Sequence, residues 1–353
     1  MKAISKETLR IIDANLNRIG EGLRVLEEFA RLSLNDETLT QQMKNMRHEM
    51  VNVDEKLQEQ LINARDSLGD VGADMEATGQ EKQRNVQEAI VANARRVQES
   101  LRVMEEIARV PDSALDTDKY KQARFALYTI EKELLSRMLR QDKMKRLAGL
   151  YVIIDTAFLK GRSHADVTAK AIRGGAKVIQ LRDKERNARE LLSVSVELKK
   201  LCSEHDVIFI VNDSLDIALA ADADGLHVGQ DDLPVATARR LLPVGKILGA
   251  SARTVEEAVA ARSEGADYLG VGSMYATATK ESAQVVGPGR LKEIKKSVDL
   301  PIVAIGGINK SNLGEVMKAG ADAAAVISAV MGAADIEAAT RQLVKIIEEE
   351  NIE

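Results

Sequence analysis

Apolar residues recur at steps of three and four early in the chain. Ile12, Leu16, Ile19, Leu23, Leu26 and Ala30 make one stripe, the mark of an amphipathic helix with a single face turned to a core. The same pattern predicts helix throughout up to about residue 145. Asn35-Asp36 breaks the first helix, Gly69, Gly72 and Gly79 interrupt the middle, and Pro111-Asp112-Ser113 ends a later helix. Arg140-Gln141-Asp142-Lys143-Met144-Lys145-Arg146 is a charged run that ends the last helix or forms a short linker. After it the period changes. Short apolar runs at 150–154, 178–181, 207–211, 225–228, 247–250, 268–271, 302–305 and 324–327 read as strands.

Amphipathic stretches such as 254–264 and 311–319 lie between these runs. Gly175-Ala176, Ala223-Asp224, Gly265-Ala266-Asp267 and Gly320-Ala321-Asp322 precede strands, as expected of tight helix-to-strand returns. Eight such units closing on themselves predict an α/β fold, a (β/α)8 TIM barrel preceded by an all-α helical bundle. An open doubly wound sheet is the alternative. The expected boundaries are 1–145 for the helical domain and 149–353 for the barrel.

The helical half echoes itself. Asn15, Arg18, Glu21, Leu23-Arg24-Val25, Glu27-Glu28 and Ala30-Arg31 reappear as Asn93, Arg96, Glu99, Leu101-Arg102-Val103, Glu105-Glu106 and Ala108-Arg109, at a constant offset of 78 residues. Lys44 and Arg47 find looser counterparts in Lys121 and Arg124. Two copies are too few for a solenoid and predict two related helical hairpins in one bundle.

Composition narrows the function classes. At 353 residues, with 45% hydrophobic and 30% charged residues, the chain reads as globular with two domains. A net charge of -5 argues against nucleic acid as the main partner. The one cysteine, Cys202, permits no internal disulfide and reads as a small buried apolar residue rather than a nucleophile. The N-terminus lacks the apolar core of a signal peptide, and no run is long enough to span a membrane, so a cytoplasmic location is expected. The expected partners are small molecules, and a homo-oligomer is left open.

Barrel enzymes work at the strand C-termini. The second strand ends in Gln180-Leu181-Arg182-Asp183-Lys184, where alternation sends Gln180, Arg182 and Lys184 to one side. Asn212-Asp213 follows the third strand and Asp232 the fourth. Two carboxylates from adjacent loops make a Mg²⁺ site, with Mn²⁺ equally suited to oxygen ligands, or else each starts the next helix as a cap. His227 reads as a core or supporting residue before a catalytic base, having no partner histidine nearby. Ser251 ends the fifth strand, and Thr277-Ala278-Thr279-Lys280 follows the sixth. Gly306-Gly307-Ile308 and Ile327-Ser328 lie at the seventh and eighth, where barrels commonly bind phosphate. The set predicts a metal-held diphosphate gripped by Arg182, Lys184 and Lys280, a second ligand's monophosphate near Gly307 and Ser328, and displacement of diphosphate as the reaction.

Together these motifs, including Gly225-Leu226-His227-Val228-Gly229-Gln230-Asp231-Asp232, make the chain from about residue 149 onward resemble the thiamine phosphate synthases. That family of transferases in thiamine biosynthesis condenses a pyrimidine diphosphate with a thiazole phosphate. The resemblance implies pyrimidine diphosphate binding by Gln180, Arg182, Lys184, Asn212, Ser251 and Lys280. It implies Mg²⁺ on Asp213 and Asp232, and thiazole phosphate against Thr277, Thr279, Gly307, Ile327 and Ser328. It also implies a dissociative path with Arg182, Lys184 and Lys280 as the catalytic cations. A thiazole tautomerase is the nearest rival, and a phosphosugar epimerase on a similar barrel would need an acid/base pair that does not stand out. The helical half resembles the small domain fused to such synthases and assigned in part as a hydroxymethylpyrimidine phosphate kinase. The resembling segments are 18–31, 44–48, 93–109 and Arg65-Asp66-Ser67-Leu68-Gly69-Asp70-Val71-Gly72. It has no Walker-type loop, and a structural or dimerising bundle is the alternative.

Overall fold

A computed structural model describes residues 4–66, 69, 85–110, 113, 115–277 and 284–350. The chain divides into two compact units, Met1–Met138 and Leu139–Glu353. The first holds helices α1 (Lys6–Glu28), α2 (Glu37–Val51), α3 (Glu55–Ala64) and α4 (Val86–Ile107), and most of α5 (Thr117–Lys145). Ser5, Asp36, Asp54 and Asn85 cap the first four helices, each accepting a backbone N–H of the first turn. A π-helical turn, Phe29–Ser33, extends α1. Asn35 then takes a left-handed φ of 51°, the physical form of the expected break. The apolar stripe of α1 is buried with Leu101, Met104 and Leu127 in one core. Gly72, Gly79, Pro111 and Asp112 lie outside the described residues.

The internal echo has a structural cause. Glu27 and its counterpart Glu105 are both buried, and each meets a matching arginine of the next helix of its hairpin. Arg47 of α2 reaches Glu27 at 3.0 Å, and Arg124 of α5 reaches Glu105 at 3.0 Å. Arg24 and Arg102, three residues before each glutamate, pair with it as well. Asn15 and Asn93 both donate their side-chain amide to the carbonyl four residues back, at 2.8 Å. The looser echo between Arg47 and Arg124 is thus the helix-to-helix half of the same repeated interaction.

The second unit is a closed ring of eight parallel strands in chain order. They are β1 (Gly149–Asp155), β2 (Val178–Arg182), β3 (Ile208–Asn212), β4 (Gly225–Val228), β5 (Ile247–Ala252), β6 (Tyr268–Gly272), β7 (Ile302–Ile305) and β8 (Ala323–Val326). Alternation splits their side chains between two cores. Outward residues such as Val152, Leu181, Phe209 and Leu269 pack under the surrounding helices. Inward residues such as Ile153, Val178, Ile208, Ile247 and Val303 fill the barrel, whose interior cluster also takes up Leu147 and Met144. Cys202 is buried in the outer core, and burial pushes its thiol up to about 12. No helix among the described residues is long and apolar enough to cross a membrane.

Three aspartates of the helix-to-strand returns do more than turn the chain. Asp224, Asp267 and Asp322 stand immediately before β4, β6 and β8. Each accepts the backbone N–H of a residue on the preceding strand, Phe209 at 3.0 Å, Leu248 at 2.8 Å and Ile302 at 2.7 Å. Each also binds cations: Lys199 and Lys143 at Asp224, Arg140 and Arg239 at Asp267, and Lys295 at Asp322. The carboxylates therefore staple strand pairs at the N-terminal ends of the strands. Burial raises Asp267 above its usual range although both arginines pull it down.

Replacing Asp267 with Ala removes the acceptor shared by Arg140, Arg239 and the Leu248 N–H, a loss on the order of 3 kcal/mol for a buried pair. Replacing Asp299, whose pair with Arg262 is exposed, is expected to cost less than about 1 kcal/mol. Urea unfolding of both variants checks this; equal losses would remove the staple argument.

Candidate active site

A cavity of about 230 Å³ opens at the C-terminal ends of the strands. Its walls include Gln180, Arg182, Lys184, Asn212, Asp213, Asp232, Ser251, Thr277, Gly307, Ile327 and Ser328. All of the site residues expected from sequence are thus brought to one place, except Thr279 and Lys280, which lie outside the described residues.

The strand ends explain how the cations are held. Arg182 pairs with the buried carboxylate of Asp155 at the end of β1. Asp183 points the other way, accepting from Thr156 Oγ1 at 2.5 Å and from the backbone N–H groups of Glu185 and Arg186 at 2.9 Å. These bonds outweigh burial and hold Asp183 below the usual carboxylate range. The loop after β2 is therefore tied down by Asp183, while Arg182 and Lys184 on either side line the cavity.

Neither metal-candidate aspartate caps the helix that follows it. The helix Leu215–Ala220 starts after Ser214, and the helix Val235–Leu241 starts after Pro234. Asp232 instead accepts the N–H of Gly229 at 2.8 Å, closing the turn after β4. Asp213 sits at a left-handed φ of 61° and donates its N–H to the His227 carbonyl at 2.9 Å. Burial, and then its neighbour Asp232, push the Asp213 carboxyl up, while Lys184 and Arg182 pull it down. Two carboxylates crowded together in a polar mouth are the donor set of a hard divalent ion. No cluster of three or more His, Cys, Asp or Glu suited to a metal occurs among the described residues. Mg²⁺ fits this pair if substrate oxygens and water complete its shell.

Opposite, Gly306 and Gly307 have φ values of 102° and 66°. A Cβ on Gly307 would stand 2.7 Å from the Ala276 carbonyl oxygen and 2.8 Å from Tyr275 Cβ. Only glycine lets the β7 and β6 loops approach this closely.

The thiamine monophosphate synthase model matches residues 150–330, and the ThiD2 family model matches residues 10–133. The thiamine-phosphate synthase of Methanospirillum hungatei is 54% identical over 200 residues, 56% of this chain and 97% of that protein. The thiamine-phosphate synthase of a Synechocystis species is 39% identical over 95% of this chain and 94% of its own. A solved thiamine phosphate pyrophosphorylase from Pyrococcus furiosus is 45% identical with a TM-score of 0.54, covering 58% of this chain and 97% of that one. The chain belongs to the thiamine monophosphate synthase family. It is a transferase of thiamine biosynthesis.

Below the charged rim, this synthase barrel carries a neutral polar layer that sequence reasoning largely passed over. Gln180 Nε2 donates to Tyr151 Oη at 2.8 Å, and Tyr151 Oη lies 3.1 Å from Tyr268 Oη. Tyr268 Oη lies 3.1 Å from His227 Nδ1, and His227 Nε2 lies 3.1 Å from Ser251 Oγ. Arg253, also unforeseen, lines the cavity at the end of β5. The signal for the layer was present: Tyr151, Gln180, His227 and Tyr268 all interrupt apolar strands. His227 lies within this layer, its two ring nitrogens each next to a hydroxyl.

Burial drives His227 down to about 4, so it is neutral in the folded barrel at pH 7. An unfolded histidine titrates near 6.5. The sign follows: His227 contributes full stability above about pH 6.5 and loses it as pH falls toward 4, by roughly 3 kcal/mol in all. His164, lowered by burial and by Arg186, acts in the same direction. Urea midpoints at pH 7 and pH 4.5 are expected to differ less in His227→Gln than in the wild type. An unchanged difference would show that His227 is not the titrating group.

Proposed function

We propose that the barrel condenses 4-amino-2-methyl-5-hydroxymethylpyrimidine diphosphate with hydroxyethylthiazole phosphate, releasing diphosphate. The observation that carries this reading is the meeting of Arg182, Lys184 and the Asp213–Asp232 pair around one cavity whose far wall is the Gly306-Gly307 turn. Cations beside a carboxylate pair suit a diphosphate, and the open glycine backbone beside Ser328 suits a phosphate monoester. Mg²⁺ held by Asp213 and Asp232 would supply neutralising charge to the diphosphate.

In this reading Arg182, Lys184 and Lys280 take up the charge that develops as the methylene C–O bond breaks and its electron pair leaves with diphosphate. The electron-rich aminopyrimidine, seated against Gln180, Asn212 and Ser251, bears the methylene cation. Thr277, Thr279, Gly307, Ile327 and Ser328 hold the thiazole phosphate so that the ring nitrogen faces that carbon and forms the new C–N bond. Alignment and charge neutralisation are the whole task in this path. The single buried cysteine fits a cytoplasmic location, and self-association is compatible with the same reading.

For the helical half we propose phosphoryl transfer from ATP to the pyrimidine monophosphate, which would make the barrel's diphosphate substrate. The match to the ThiD2 model supports a dedicated activity there.

The full chain with Mg²⁺ and both phosphorylated substrates is expected to form thiamine phosphate and diphosphate in equal amounts. Asp213→Ala should lower the rate at least about 100-fold, the scale of losing an electrostatic partner of the leaving group. A variant as active as the wild type would remove Asp213 from the site. Supplying pyrimidine monophosphate and ATP in place of the diphosphate tests the helical half: thiamine phosphate formed only with ATP supports the kinase. No product under conditions where the diphosphate reacts makes that half a scaffold.

A further inference from the structure

The neutral layer beneath the rim is a continuous chain of hydrogen bonds bordering the cavity, with Tyr151 and Tyr268 fully buried within it. It runs from Gln180 on β2 through Tyr151 on β1, across the barrel to Tyr268 on β6, then through His227 on β4 to Ser251 on β5. Space for it is made by glycine. A Cβ on Gly249 would lie 2.2 Å from the Tyr268 ring and 2.4 Å from His227 Nδ1, and one on Gly270 would lie 2.8 Å from His227 Cε1. Two inward positions, on β5 and β6, are thus without side chains so that the two rings can meet. Among the described residues the second amide atom of Gln180 and the outer side of the Ser251 hydroxyl have no protein partner, and both residues line the cavity.

Each inner member of this chain is both donor and acceptor, and each has one proton to give. His227 lies between two hydroxyls with no carboxylate in hydrogen-bonding reach, so its ring carries a single N–H. Only two arrangements then satisfy every link. In one, Gln180 N–H donates to Tyr151, Tyr151 to Tyr268, Tyr268 to Nδ1, and Nε2–H to Ser251. That leaves the Gln180 carbonyl as an acceptor and the Ser251 hydroxyl as a donor toward the cavity. In the other, every proton is reversed: the Gln180 amide faces the cavity as a donor and Ser251 as an acceptor. A ligand asking for two donors forces two proton-less oxygens together at Tyr151 and Tyr268. One asking for two acceptors leaves Tyr268 with a proton and no place for it.

We propose that Tyr151, Tyr268 and His227 couple Gln180 to Ser251 as one reversible relay, so that the cavity floor selects a ring offering one donor and one acceptor and rejects a ring offering two of either. They are positioning residues, acting through Gln180 and Ser251. The proposal rests on the reading that the pyrimidine ring sits between those two residues. An aminopyrimidine, with an amino donor and ring-nitrogen acceptors, meets the requirement. So does its 4-oxo analogue, in which donor and acceptor are exchanged, whereas a 4-methoxy analogue presents acceptors only.

The test uses the full chain and these three hydroxymethylpyrimidines as competitors of the pyrimidine diphosphate. Nitrogen-15 shifts of His227 are followed in parallel on the wild-type protein. The amino and oxo compounds are expected to inhibit within about 3-fold of each other and to place the His227 proton on opposite nitrogens. The methoxy compound is expected to bind on the order of 10- to 100-fold more weakly, the scale of one unmatched buried polar group. In Tyr268→Phe, which cuts the relay, that penalty should shrink to less than about 3-fold. The same His227 tautomer with both compounds, or an undiminished methoxy penalty in a folded Tyr268→Phe, overturns the relay while leaving the site reading intact. Turnover without competition by the amino compound overturns the placement of the ring, and the relay with it.

Discussion

Eight parallel strands closed into a ring leave each strand residue two directions, into the barrel or out to the helices. Closure removes any edge at which the ring could open or slip, so the parity of every strand is locked to that of its neighbours. The inward residues then stack by height. Val178, Ile208 and Ile247 lie at the bottom with Met144 and Leu147. Tyr151, Gln180, His227 and Tyr268 form the neutral polar layer above, and Arg182, Lys184, Asp213 and Asp232 crown the mouth. Polarity rises toward water because an unpaired charge deep in the barrel would be costly, whereas a hydrogen-bonded neutral group is tolerated there. The chemistry is placed by that gradient.

The rim is held in place before any substrate arrives. Arg182 is anchored on Asp155, and the loop carrying Lys184 is tied through Asp183 to Thr156. The crowding of Asp213 against Asp232 is the opposite case, two carboxyls kept close by backbone bonds on each side, with burial and Asp232 pushing Asp213 up. An arrangement that is unfavourable alone and favourable with a cation is what a binding site, unlike a structural ion pair, should look like. At the other end of the barrel Asp224, Asp267 and Asp322 each have cationic partners and a backbone N–H. Carboxylates of one chemical type thus divide into those paired with cations at the far end and the crowded Asp213–Asp232 pair at the mouth.

The helical half reuses one solution twice. A buried glutamate held between an arginine of its own helix and an arginine of the next fixes each hairpin. Burying Glu105 without these arginines would leave a charge without compensation. The pairing therefore accounts for much of the repeated sequence without appeal to catalysis, including Arg24, Glu27, Arg102 and Glu105. Arg18, Glu21, Arg96 and Glu99, which repeat but stay exposed, are left without such an account.

The sequence by itself determined the elements and the rim. Strand positions followed from local apolar runs and from the Gly-Ala and Ala-Asp returns, both short-range signals. The eight observed strands lie within two residues of the eight expected ones. Gln180, Arg182, Lys184, Asn212, Asp213, Asp232 and Ser251 were legible because polar residues at strand ends have few structural reasons to be there. Tertiary structure alone decided what depends on closure. Tyr151 and Tyr268 stand 117 residues apart on strands that are not neighbours, and meet only across a closed barrel. The claim of Asp155 on Arg182 and the stapling by Asp267 likewise join segments whose proximity no local pattern encodes. A motif records the preferences of adjacent residues, whereas a hydrogen bond depends on distance in space, and only the folded ring sets those distances.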